Sequence, residues 1–200
     1  MAGERLFICS PSYSGAYCHQ YVESLVATVK DCGQHQIPTA YKSLHGVHWI
    51  DIARDILAHV FLHSDCTHML QIDDDLGWSA DAPRRMLSRG ADVIAGIYPI
   101  KDDSGIFPIA DGLPGGFLMV RREVIERMSE GKKYRASCLQ FGEQRVASLF
   151  TRQFTDDSYV GEDFAFCRRA RDAGFSLSAE TDIDFVHVGR KAWAGNYSKA

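Results

Sequence analysis

The chain alternates two hydrophobic rhythms. Short apolar runs read as buried strands, and stretches where apolar residues recur every three or four positions read as helices. Leu6 to Cys9 is the first run, broken by Ser10-Pro11-Ser12-Tyr13-Ser14-Gly15. Tyr21, Leu25, Val26 and Val29 then follow helical spacing, and Ile50, Ala53, Leu57 and Phe61 mark a second amphipathic helix. That helix leads into the run Met69 to Ile72. Asp81-Ala82-Pro83 predicts a helix start, with Asp as cap and Pro in the first turn. Ala91 to Tyr98 reads as a buried strand ended by Pro99 and the polar Lys101-Asp102-Asp103-Ser104-Gly105. Phe117 to Val120 predicts a further strand, entered through Pro114-Gly115-Gly116 and followed by a helix from Arg122 to about Met128. Asp163 to Ala173 reads as a helix closed by Gly174, and Ile183 to Val188 as the last strand. Strands alternating with helices predict an α/β layered sheet. Over residues 131–160 the periodicity weakens while Lys132, Lys133, Arg135, Arg145 and Arg152 gather among aromatics. This stretch is expected to be a loop excursion over the active face.

Composition narrows the picture. With 200 residues, 46% apolar and 24% charged, the chain fits one soluble domain spanning 1–200. A net charge of -4 gives no electrostatic case for a nucleic-acid-binding protein, though a locally held nucleic-acid substrate stays open. The six cysteines are scattered with no C-x-x-C pair, which fits reduced thiols and a cytoplasmic setting. No apolar signal core or membrane-length apolar stretch is present.

Three acidic or histidine features carry candidate chemistry. The first is Met69-Leu70-Gln71-Ile72-Asp73-Asp74-Asp75, an apolar strand that ends in three carboxylates. Charges so close repel unless a cation joins them, and oxygen ligands suit magnesium or manganese, which can in turn hold a diphosphate. An acidic turn is the plain alternative. Counted from Asp73, the twelfth position is Arg84, so this is no EF-hand. Neither G-x-G-x-x-G after the first strand nor G-x-x-x-x-G-K-[ST] occurs. The second feature is Gly161-Glu162-Asp163 at a helix start, where an acid either favours the helix dipole or serves as a base toward an acceptor hydroxyl. The third is His187 in Phe185-Val186-His187-Val188-Gly189, a strand histidine that can complete the shell of a metal tolerant of nitrogen. Arg54, beside Asp55, can reach a phosphate or form a surface ion pair. His59 and His63, four apart, read as ordinary helix residues.

Taken in order, these elements resemble a GT-A glycosyltransferase of the family 2-like kind common in bacteria and their viruses. The resemblance rests on Phe7-Ile8-Cys9-Ser10-Pro11-Ser12-Tyr13, on Ala53-Arg54-Asp55 before the D-x-D-like Asp73-Asp74-Asp75, and on Asp92-Val93-Ile94-Ala95-Gly96-Ile97-Tyr98-Pro99. It continues through Gly115-Gly116-Phe117-Leu118-Met119-Val120-Arg121-Arg122, Gly161-Glu162-Asp163-Phe164 and His187-Val188-Gly189. It implies a single-domain, Rossmann-like mixed sheet flanked by helices, and a nucleotide-diphospho-sugar transferase. By that resemblance Ser10, Pro11, Ser12 and Tyr13 line the nucleotide base, Arg54 lies near ribose or diphosphate, and Asp73 contacts the nucleotide. Asp75 and His187 would bind manganese or magnesium, Gly115 and Gly116 would admit the sugar, and Asp163 would be the base with Glu162 beside it. Asp74 falls in the donor site without an assigned role. The implied reaction moves a sugar, from a UDP-sugar, to an acceptor hydroxyl with inversion. The acceptor is open among glycan, lipid-linked sugar, protein and modified DNA base. A metal-dependent nucleotidyltransferase and a non-catalytic sugar-nucleotide-binding module are the alternatives.

Overall fold

The computed structural model describes residues 3–109, 112–154, 157–189 and 191–199. Its elements run in chain order as β1 (Leu6–Ser12), α1 (His19–Gln34), β2 (Thr39–His45), α2 (Ile50–Leu62), β3 (His68–Ile72), β4 (Leu76–Trp78) and α3 (Ala82–Ser88). Then follow β5 (Val93–Gly96), β6 (Phe117–Arg121), α4 (Arg122–Met128), β7 (Lys133–Cys138), β8 (Gly142–Ala147), β9 (Gln153–Phe154) and β10 (Tyr159–Val160). The chain ends with α5 (Glu162–Asp172), β11 (Leu177–Glu180), β12 (Phe185–Val188) and β13 (Ala192–Gly195).

Six strands form one mixed sheet in the order β11-β5-β6-β3-β1-β2. Strand β1 runs parallel to β2 and β3, and β11 is parallel to β5. Strand β6 runs antiparallel between β3 and β5. The alternation of each strand divides the core. Phe7, Cys9, Met69, Val93, Leu118 and Val120 pack on one face with α2, α4 and α5. Leu6, Ile8, Leu70, Ile72, Ile94 and Met119 pack on the other with α1 and α3. Strands β1, β3, β5 and β6 are therefore buried on both sides, which explains continuous apolar runs rather than alternating ones. Burying a side chain such as Phe61 or Phe166 contributes about 2–3 kcal/mol.

A second, three-stranded sheet, β13-β12-β4, stands at the end of β3. Leu76 of β4 registers with His187 of β12. The acidic triplet is the short link between β3 and β4, and this register sets it beside the late histidine.

Several boundaries differ from the sequence reading. Strands β2 and β11 escape it because Thr39–His45 and Leu177–Glu180 lack an apolar run. They flank the large sheet, where burial on both faces is not required. Ile183–Val188 is not the last strand, since β13 follows it. Asp81 takes the N-cap position of α3 with Pro83 in the first turn, but its side chain makes no capping hydrogen bond and pairs with Arg85 at 3.2 Å. The 131–160 stretch is not one irregular loop but two hairpins, β7–β8 and β9–β10. Thr155 and Asp156 within it lie outside the described residues. The first hairpin is tied down at both ends. Asp55 of α2 accepts hydrogen bonds from Tyr134 Oη (2.8 Å), Leu149 N (2.9 Å) and Phe150 N (2.8 Å). Gln140, in the turn, accepts from His45 N and donates to the Ser43 carbonyl.

Candidate active site

The centre of the site is a buried arginine. Arg54 lies on the inner face of α2 and is only 2% exposed. Its Nη2 donates to Asp73 Oδ1 at 3.0 Å, and its Nη1 to the Gly115 carbonyl and to Gln71 Oε1. Its Nε faces Glu162 Oε1 at 3.7 Å, too long for a hydrogen bond, and is a buried donor without a partner. Burial disfavours the guanidinium, but Asp73, Glu162 and Asp163 outweigh it and raise the Arg54 pKa. Arg54 is thus a core cation that gathers both acidic motifs, not the surface ion pair its sequence context also allowed.

The three aspartates point three ways. Asp73 turns to Arg54, and its backbone N–H donates to the Gly116 carbonyl at 2.9 Å. Burial raises its pKa against the pull of Arg54. Asp74 turns to the nucleotide-loop side, where Oδ2 accepts from Ser12 Oγ at 2.5 Å and its carbonyl accepts from Cys18 N at 3.1 Å. It ties the end of β1 to the start of α1. Asp75 turns to the second sheet. Its Oδ2 pairs with the Lys101 ammonium, while Oδ1 is buried, unpartnered, and 3.4 Å from His187 Nε2. Burial works against the Asp75 carboxylate, but His187 and Lys101 overcome it and the pKa is lowered.

His187 is held in one tautomer. Its Nδ1 lies 2.8 Å from the Pro99 carbonyl, which can only accept, so Nδ1 carries a proton. In the neutral ring Nε2 then presents a lone pair to Asp75 Oδ1. A proton on Nε2 or a divalent cation between the two atoms would join them. One carboxylate and one imidazole fit a divalent metal that tolerates nitrogen, such as manganese. Among the described residues no group of three or more His, Cys, Asp or Glu is placed to hold a metal ion. A metal here would need oxygens from a ligand as well. The His59 and His63 rings lie tilted against each other at the end of α2, with centres 4.5 Å apart.

The glycines make room for the acids. A Cβ on Gly115 would stand 2.6 Å from Arg54 Nη1, and one on Gly116 would stand 2.5 Å from Tyr98 Oη and 2.8 Å from Asp73 Oδ2. Gly116 N donates to Tyr98 Oη at 3.0 Å. Asp163 closes the circle: Oδ2 accepts from Gly115 N at 3.1 Å and Oδ1 from Phe164 N at 2.8 Å. Glu162 beside it has a pKa raised by burial, partly offset by Arg54.

The loop after β1 divides. Ser10 is fully buried and its hydroxyl bonds to Tyr21, so its side chain is a core group rather than a pocket wall. Pro11 is buried too. Ser12 is buried as well and bonds to Asp74, while Tyr13, 59% exposed, reaches outward to the His48 ring 4.5 Å away. Tyr98, Gln71 and Lys101 also belong to the assembly, although the sequence reading gave them no role of their own. Two open cavities of about 600 Å³ are lined by Thr67, His68, Arg121 and Arg122, and by Pro99, Phe107, Phe185 and Asn196. Neither contains the acids that converge on Arg54.

No protein family matches the chain by sequence, and no curated protein matches it. Solved structures do. A197 from STIV aligns over 98% of this chain and 92% of its own, with TM-score 0.59 and 17% identity. The catalytic domain of Drosophila beta1,4galactosyltransferase 7, in complex with xylobiose, aligns over 88% of this chain with TM-score 0.56 and 16% identity. A mutant of that enzyme in complex with manganese, UDP-Gal and xylobiose matches with TM-score 0.56 and 15% identity. The chain has the GT-A fold. Within this fold it spans 64% of the Drosophila chain. The GT-A sheet places the β3 end, the Gly115-Gly116 turn and the α5 start along one edge, and Arg54 binds them together.

Proposed function

We propose that this protein is a metal-dependent glycosyltransferase that moves a sugar from a nucleoside-diphosphate sugar, best a UDP-sugar, to an acceptor hydroxyl. One observation carries the reading: Asp73, Glu162 and Asp163 converge on one buried arginine at the edge of a GT-A sheet, with Asp75 and His187 beside them. A pure binding module has no need of a base at Asp163. The complex of the related fold with manganese and UDP-Gal supports the choice of cofactor and donor.

Asp75 and His187 would hold manganese or magnesium, which when bound supplies positive charge for the departing diphosphate. Arg54 fixes Asp73 toward the nucleotide, and Ser12, Asp74 and Tyr13 shape the base side of the site. Gly115 and Gly116 leave the donor sugar space that any Cβ would fill. Asp163 is held by the Gly115 N–H at 3.1 Å. It takes the proton of the acceptor hydroxyl as that oxygen attacks the anomeric carbon, and the bond to the diphosphate breaks with inversion. Glu162 keeps Arg54 charged and oriented.

The test is product analysis with a panel of nucleotide sugars and manganese. A glycosyltransferase releases a nucleoside diphosphate; a nucleotidyltransferase releases pyrophosphate. Asp163→Asn should lower turnover by about two to four orders of magnitude with donor binding retained. Full transfer by a folded Asp163→Asn protein would remove the base assignment.

A further inference from the structure

The polar stretch after β5 brings one cation into the acidic edge. Lys101 lies two residues beyond Pro99, whose carbonyl holds His187, and its ammonium pairs with Asp75 Oδ2. Its aliphatic stem lies over Gly189, where a Cβ would stand 3.2 Å from Lys101 Cδ and 3.0 Å from the Trp193 ring. The bare glycine leaves the slot through which the lysine reaches the carboxylate. The Lys101 and Asp75 side chains are 35% and 30% exposed, so the pair forms at the cleft surface and is free to part. Asp75 is therefore divided, with an ammonium on one oxygen and an unpartnered oxygen facing His187 Nε2.

We infer, resting on the reading of Asp75 and His187 given above, that Lys101 is the resident counter-ion of the metal site. It competes with a divalent cation for Asp75 and, once displaced, turns its charge to the donor diphosphate. The physical reason is ligand count. Two protein ligands hold a divalent cation weakly, and a lysine already neutralises the one carboxylate. A diphosphate adds oxygens for the metal and a new anionic partner for the ammonium, so both cations gain together. The flexible four-carbon stem of lysine permits the exchange without movement of the strands. Metal and nucleotide then load as a unit, and the metal alone is disfavoured.

Removing the ammonium should thus act with opposite signs on two affinities. Mn²⁺ binding to the full chain can be followed by the electron paramagnetic resonance of the free ion, without and with UDP. Lys101→Met should bind Mn²⁺ alone roughly two- to fivefold more tightly than the wild type, the range of a partly exposed ion pair. The same variant should bind UDP several-fold more weakly at saturating Mn²⁺. Lys101→Arg keeps a cation and should stay close to the wild type in both measurements. If Lys101→Met binds Mn²⁺ alone no better than a wild type that takes up Mn²⁺ with UDP, this inference fails while the site reading stands. If the wild type takes up no Mn²⁺ even with UDP, the site reading fails first.

Discussion

At the residue scale, Arg54 decides most. Its guanidinium is enclosed between Asp73, Glu162, Gln71 and the Gly115 carbonyl. An arginine in an apolar helix face signals only that a partner must exist, because an unpaired charge does not survive burial. The sequence cannot say which carboxylate answers it, since Asp73 and Glu162 lie far away along the chain. Replacing Arg54 with methionine leaves Asp73 and Glu162 without their cation. The expected loss is about 3 kcal/mol in urea unfolding, the lower end for buried pairs because Asp73 remains 31% exposed. Adding Asp73→Leu to Arg54→Met should recover part of that loss, because the stranded anion is then gone. The acidic triplet shows the same division of knowledge. Its three carboxylates are plain in the sequence, but the chain turn between β3 and β4 sends them to Arg54, Ser12 and Lys101 in order.

At the element scale, the hairpin β7–β8 illustrates a misread rhythm. Its strands alternate exposed and partly buried positions, so no apolar run announces them. One end of the hairpin is held by a carboxylate. Asp55 is buried on α2, and burial pushes its pKa from 3.8 up to about 6 despite three hydrogen bonds to the ionised form. A carboxyl whose folded pKa is raised binds its proton more tightly in the native state. The stability it gives is full below pH 3.8 and is lost as pH rises through about 6. Two pKa units correspond to about 3 kcal/mol. The stability difference between wild type and Asp55→Asn, measured by urea unfolding from pH 4 to 7.5, should shift toward the asparagine variant by up to that amount as pH rises. Asp55→Ala should cost about 2–4 kcal/mol at pH 4, because the Leu149 and Phe150 N–H groups are left buried and unpaired, and that cost should shrink as pH rises through about 6.

At the scale of the whole molecule, the site exists because two sheets meet. The large sheet brings β3, β6 and α5 to one edge, and β4–β12 pairing carries His187 to the same place. The six cysteines are free, and no helix among the described residues is long and apolar enough to cross a membrane. A ligand spanning Asp73, Asp75 and His187 would bridge both sheets and stabilise the chain as one body. UDP with Mn²⁺ at about a hundred times its Kd should add about 2.7 kcal/mol, or roughly 5–10 °C in Tm. Thermal denaturation with UDP alone, Mn²⁺ alone and both together measures this. Only the combination should give the full shift, and Asp75→Asn should abolish the increment due to metal.

The amino-acid sequence by itself determined the α/β alternation, the central strands, the helices with one apolar face, and the chemical character of the acidic and histidine motifs. Those features are local: hydrophobic period and turn residues act within about a dozen positions. The order β11-β5-β6-β3-β1-β2, the capture of Arg54 by Asp73 and Glu162, the tautomer of His187 and the contact of Lys101 with Asp75 were decided only by the tertiary structure. Each joins residues distant in the chain, and its energy comes from burying charge and satisfying hydrogen bonds in a space that exists only after the sheets have formed.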